Sequence, residues 1–201
     1  MIFEKQKNIF PVEIENNIIN RKLNSNTPKI FWFTGLSGSG KTTLGLELKK
    51  ILDQKNMPVV LLDGDNLRNG INSDLGFSDD DRKENIRRTG EITKILYDIG
   101  LSVIVTTISP FISSRNTVRN LFNIGDFSEI FIDCDIKKCE KRDPKKLYEL
   151  SNAGLIREFT GHDSIYEKPL TPDLVINTNF LSVRQANEIL STFVSKIFSG
   201  Y

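Results

Sequence analysis

From residue 29 onward, apolar runs of strand length alternate with stretches of helical spacing. Residues 29–34, with Ile30-Phe31-Trp32-Phe33-Thr34, form the first run. Between Thr42 and Gln54, Leu44, Leu48, Ile51 and Leu52 fall on one helical face. A second apolar run covers 58–63 and ends in Asp63. Ser78 reads as a helix N-cap, with Asp79, Asp80 and Asp81 favourably placed in the first turn. That helix is expected to bury Ile86, Ile92, Ile95 and Leu96 and to stop at Gly100. A third strand is expected at 101–107, a helix at roughly 113–123, a strand at 129–133 and a last strand at 174–176. The polar segment 143–171 holds one short helix around 146–153. Ser182 caps a final helix whose Val183, Ala186, Ile189, Leu190, Phe193, Val194 and Ile197 form a core stripe.

Alternation of continuously apolar strands with helices predicts an α/β fold, a five-stranded parallel sheet covered on both faces. Ligands in such sheets lie beyond the carboxyl ends of the strands. The loops at 35–42, 63–82, 108–115 and 134–171 therefore carry the function. Residues 1–28 are polar and Asn-rich, and read as an arm with a short helix at 13–22 ahead of one domain at 29–201. No internal repeat interrupts this order.

The first of those loops is specific. Gly35-Leu36-Ser37-Gly38-Ser39-Gly40-Lys41-Thr42 completes the Gly-x-x-x-x-Gly-Lys-[Ser/Thr] pattern between a strand and a helix. Its glycines let successive N–H groups point at an anion, and the helix start adds its positive end. Lys41 can reach the β- and γ-phosphates, and the Thr42 hydroxyl is a natural Mg²⁺ ligand. In the second loop, Asp63-Gly64-Asp65-Asn66-Leu67-Arg68 emerges at the same edge. Asp63 is suited to orient or deprotonate an acceptor hydroxyl and to share the Mg²⁺. Arg68 suits bidentate contact with an anion. Arg82 and Asn85 are three apart on one helix face, and Phe77 can stack on a base. A polar turn, a solvated basic face and a buried Phe are the alternative readings of these residues. At 108–111 a Ser-Pro turn ends the third strand.

Composition narrows the class. The chain has 201 residues and a formal net charge of +1, without the basic field that nucleic-acid binding needs. No apolar stretch approaches the ~20 residues of a membrane span, and the N-terminus lacks a secretory core. The two cysteines, Cys134 and Cys139, fit no zinc or redox spacing and read as free thiols of a cytoplasmic protein.

Taken in order, Gly35–Thr43, Leu62–Arg68, Asp74–Ser78, Arg82–Arg88, Ile108–Phe111, Arg142–Lys145 and Phe159–Gly161 resemble the adenylylsulfate kinases, from about residue 16 to 178. The resemblance implies a P-loop kinase fold with a mobile lid at about 143–171, a cytoplasmic homodimer, and Mg²⁺-dependent transfer from ATP to the 3′-hydroxyl of adenosine 5′-phosphosulfate. It places Gly35 through Thr43 on the ATP phosphates and Arg142 near the adenine. It places Asp65, Asn66, Arg68, Phe77 and Arg82 on the acceptor, with Asn85, Ile108, Lys145 and Phe159. Ser109 falls where the family is assigned a phosphoserine intermediate, although direct in-line transfer suffices. The departures from the family pattern are Ile112 and, in the lid, Lys146, Glu149–Asn152, Leu155 and His162. They leave a second acceptor, cytidine diphosphoramidate, as the alternative. A non-catalytic P-loop module is the alternative of another class, against which Lys41, Thr42 and Asp63 all stand.

Overall fold

The computed structural model describes residues 27–155, 160–161 and 164–199. The expected arm helix at 13–22, Phe159 and His162 lie outside the described residues. Five parallel strands form the sheet: β1 (Ile30–Thr34), β2 (Val59–Asp63), β3 (Ser102–Thr106), β4 (Phe127–Asp133) and β5 (Leu174–Asn177), in the order β2-β3-β1-β4-β5. Around it lie α1 (Lys41–Gln54), α2 (Gly64–Asn69), α3 (Asp79–Asp98), α4 (Ile112–Arg119), α5 (Ile136–Arg142), α6 (Leu147–Asn152) and α7 (Val183–Ser199).

The central strand explains the two cores. Side chains alternate across a strand. Phe31 and Phe33 therefore pack with Leu44, Leu48 and Leu52 of α1 and Leu190 and Val194 of α7. Ile30 and Trp32 pack on the other face with Ile86 of α3 and Val118 of α4. Ser78 caps α3 as its sequence predicts, its Oγ accepting from the Asp81 N–H at 3.2 Å.

Some elements differ from the sequence reading. The helix α3 turns Thr89, Gly90 and Thr93 inward and leaves Ile95 exposed. The reason is close packing: a Cβ on Gly90 would come within 2.7 Å of Val118 Cγ2, so only glycine lets α3 and α4 approach here. The helix α4 ends at Arg119, well short of 123. Val183 leaves the core stripe, being half exposed at the first turn of α7. Two short helices, α2 and α5, replace expected loops. The first forms because the Asp63 side chain caps it, accepting from the Asp65 N–H at 3.0 Å. The second packs Ile136 and Cys139, three residues apart, in a cluster with Leu36, Leu147 and Tyr148.

Candidate active site

The ends of β1, β2 and β3 open into one cleft of about 690 Å³, partly roofed by Pro144, Lys145, Leu147 and Thr160. Its floor is the glycine loop. Gly38 has φ +73°, and a Cβ there would lie 2.9 Å from the Cys139 carbonyl of α5. Residues Ser37 through Thr43 line the cleft, while Gly35 and Leu36 stand behind it. Lys41 Nζ donates to the Gly35 and Leu36 carbonyls at 2.9 and 2.8 Å. Burial, seconded by Lys145, lowers the Lys41 pKa from 10.5 to about 8. An arriving polyphosphate would add counter-charge and raise that pKa again.

The carboxylate of Asp63 joins three segments. Its Oδ2 accepts from Thr42 Oγ1 at 2.9 Å and from Thr106 Oγ1 at 2.8 Å. Burial disfavours its charge, but these bonds and the Asp65 N–H outweigh burial and lower its pKa below 3.8. The group is an ionised acceptor, not a strong base. Adjacent ligands of an octahedral Mg²⁺ at 2.0–2.1 Å lie about 2.9 Å apart, so Thr42 Oγ1 and Asp63 Oδ2 have the spacing of two neighbouring ligands. No group of three or more His, Cys, Asp or Glu is placed to hold a metal ion by itself among the described residues. One hydroxyl and one carboxylate fit an ion that completes its shell with phosphate and water.

Across the cleft the other predicted residues gather. The guanidinium of Arg68 sits 4.5 Å from the Phe77 ring centroid and donates to the Gly76 carbonyl at 2.8 Å. Arg82 donates to the Phe77 carbonyl at 2.8 Å and to Thr160 Oγ1. Asn85 accepts from Asn72 Nδ2 at 2.9 Å. Arg82, Asn85, Ile108 and Ser109 all line the wall, and Asp65 and Lys145 meet as an ion pair at its rim. Phe77 is half exposed, which leaves ring surface on which a base can stack.

One predicted residue falls elsewhere, and two more, Ser109 and Arg142, line the cleft while making further contacts. Asn66 is exposed and off the wall; Asn69 lines it instead. Ser109 is 1% exposed, and its Oγ accepts from the Trp32 indole N–H at 3.1 Å. No carboxylate or imidazole hydrogen-bonds that hydroxyl among the described residues. Arg142 braces the glycine loop, donating to the Gly38 and Ser39 carbonyls at 3.2 Å and to the Thr178 carbonyl at 2.8 Å.

Sequence reasoning missed Thr106, Thr178, Leu181 and Val183 on the wall, and Arg115 behind it. Thr106 had a signal, since parallel register sets it beside Asp63. Arg115 had a weaker one, a charge beside Ser114 on the buried side of α4. Glu149, Asn152 and Leu155, which depart from the family pattern, are exposed and off the cleft wall.

The family model described as adenylylsulphate kinase matches residues 27–177. An adenylyl-sulfate kinase of Geotalea daltonii is 47% identical over 173 residues, 86% of this chain and 85% of that protein. That of Clostridium acetobutylicum is 53% identical over 149 residues, 74% of each. The solved APS kinase CysC of Mycobacterium tuberculosis, in complex with AMPPNP and APS, superposes with a TM-score of 0.79 at 43% identity, covering 85% of this chain and 99% of that one. The chain belongs to the adenylylsulphate kinase family.

Proposed function

We propose that this chain transfers the γ-phosphate of ATP to the 3′-hydroxyl of adenosine 5′-phosphosulfate, a step of sulfate assimilation. The observation that carries the reading is a single cleft with Lys41, Thr42 and Asp63 on one side and Arg68, Phe77, Arg82 and Asn85 on the other. Lys41 binds the β- and γ-phosphates from beneath. Arg68 and Arg82 hold the anionic tail of the acceptor, and Phe77 takes its base. Asp63, ionised and fixed by Thr106, accepts a hydrogen bond from the acceptor hydroxyl and orients it for in-line attack. A magnesium ion held by Thr42 and Asp63 would neutralise charge on the transferred phosphoryl group.

A covalent step through Ser109 is disfavoured by its burial and because no carboxylate or imidazole among the described residues hydrogen-bonds its hydroxyl. Of the departures from the family pattern, Glu149, Asn152 and Leu155 lie off the wall, which supports the adenylylsulfate reading. The roof residues act as part of the lid, with Lys145 and Thr160 meeting Asp65 and Arg82. We place the enzyme in the cytoplasm, a reading that its two free thiols support, and take the homodimer from the family resemblance. A substrate panel at fixed ATP and Mg²⁺ tests the reading. Adenylylsulfate is expected to turn over fastest, and failure to phosphorylate it would reject the proposal.

A further inference from the structure

Arg115 is a buried charge for which phosphoryl transfer has no evident use. It sits on α4, 2% exposed, beneath the loop that ends β3. Burying a guanidinium is costly unless its donors are directed. Here Nε donates to Glu129 Oε1 of β4 at 2.6 Å, Nη1 to the Ser109 carbonyl at 2.6 Å, and Nη2 to the Glu167 carbonyl at 2.8 Å. The two carbonyls belong to segments far apart in sequence: the cleft-wall loop Ile108–Pro110 and the return stretch after the roof, Ser164–Lys168.

Other bonds repeat the tie. Glu167 N–H donates to the Pro110 carbonyl at 2.8 Å, and the Ile112 N–H donates to Glu167 Oε2 at 2.6 Å. Tyr166 and Thr34 share a hydrogen bond of 2.9 Å, and Thr34 Oγ1 lies 2.7 Å from the Ile108 carbonyl. The wall loop is also under constraint. Ser109 has φ +41°, a conformation that a residue with a Cβ keeps only when its surroundings enforce it.

Resting on the acceptor assignment above, we propose that Arg115 is a positioning residue for the acceptor. Its fork fixes the Ile108–Pro110 wall to the Ser164–Lys168 return segment, and so sets the acceptor subsite without touching the nucleotide. A buried apolar residue would serve mere stability as well. The fork ending on two backbone carbonyls is what a positioning role requires, and lysine cannot reproduce it.

The test uses Arg115→Lys, which keeps the charge for Glu129, and Tyr166→Phe, which removes only the Thr34 anchor. Hydrogen–deuterium exchange and steady-state kinetics are read together. In Arg115→Lys, amides between Ile108 and Ile112 and between Ser164 and Lys168 should exchange at least about tenfold faster together, with Gly35–Thr43 unchanged. The KM for adenylylsulfate should rise about tenfold or more, as loss of a charged hydrogen bond predicts, while the KM for ATP stays within about twofold. Tyr166→Phe should give the same pattern at about threefold. A folded Arg115→Lys with unchanged exchange and unchanged acceptor KM overturns the proposal. So does exchange raised evenly across the sheet with both KM values unmoved, the mark of a purely structural role. If Arg115→Lys does not fold, Tyr166→Phe decides by the same criteria. A wild-type protein inactive on adenylylsulfate would reject the functional reading, while the exchange experiment would still judge the tie.

Discussion

Replacing Asp63 by asparagine separates its structural from its chemical work. In the folded protein the carboxylate accepts from Thr42, Thr106 and the Asp65 N–H, at 2.9, 2.8 and 3.0 Å. The amide of the Asp63→Asn variant can keep its oxygen on the Asp65 N–H and turn its NH₂ to the two threonines. Their hydroxyls can rotate to accept, so the network survives with donors and acceptors exchanged. The structural cost is that of weakening hydrogen bonds to a charged group, about 1 kcal/mol, or a few degrees in Tm for a chain of this size. The chemical loss is larger. The charge next to Thr42 disappears, and with it the proposed metal ligand and the proposed hydrogen-bond acceptor for the attacking hydroxyl. Such a group is worth about 10²–10⁴ in rate, or roughly 3–5 kcal/mol of barrier. Steady-state kinetics with each substrate varied should show kcat down by that factor and both KM values within about threefold. Thermal denaturation run in parallel checks the fold. A variant with kcat preserved and only KM raised would refute the reasoning and make Asp63 a binding residue.

The remaining expectations rest on single features. Lys41 is neutral in the free protein between about pH 8 and 10.5 but charged in the unfolded chain; the unfolded state then binds more protons, so its contribution makes stability rise with pH across that window, and Lys41→Met should abolish the rise in a denaturation series. By the same shift, ATP binding near pH 8.5 should take up a fraction of a proton, which calorimetry in buffers of different ionisation enthalpy measures and which Lys41→Met should lose. Arg82→Ala should weaken acceptor binding about ten- to a hundredfold and leave ATP affinity within about twofold, since the glycine loop lies across the cleft; equal losses for both ligands in a binding titration would contradict it. Gly38→Ala combines a left-handed backbone with a Cβ 2.9 Å from the Cys139 carbonyl; it should cost more than about 1 kcal/mol and depress ATP binding, and an unchanged Tm would contradict the packing argument.

How much of this was legible in the sequence follows from how locally each feature is encoded. The glycine loop, Asp63, Arg82 and Asn85 were expected at the ligand edge from local spacing alone, and they line the cleft there. The long amphipathic stripes of α1, α3 and α7 gave their helices, although Gly90 rather than Ile95 turned out to face α4. The helices α2 and α5, of six and seven residues, are too short to show a period and are set by a cap and by packing under the glycine loop. Thr178, Val183 and Arg115 reach the site only through β5, α7 and α4 folding back on the sheet. Such residues announce themselves in the sequence only as an unexplained polar or apolar position. Ser109 shows the converse: the family resemblance assigns it a phosphoserine, while tertiary structure buries its hydroxyl beside the Trp32 indole.

The identity of the acceptor decides the function. The direct measurement is kcat/KM for adenylylsulfate against a cytidine 5′-nucleotide with a free 3′-hydroxyl, at fixed ATP and Mg²⁺, with the phosphorylated position read by ³¹P NMR. Adenylylsulfate should lead by at least about tenfold and carry the new phosphate on its 3′-oxygen. A cytidine nucleotide leading by the same margin, or phosphate on any other oxygen, would contradict the account.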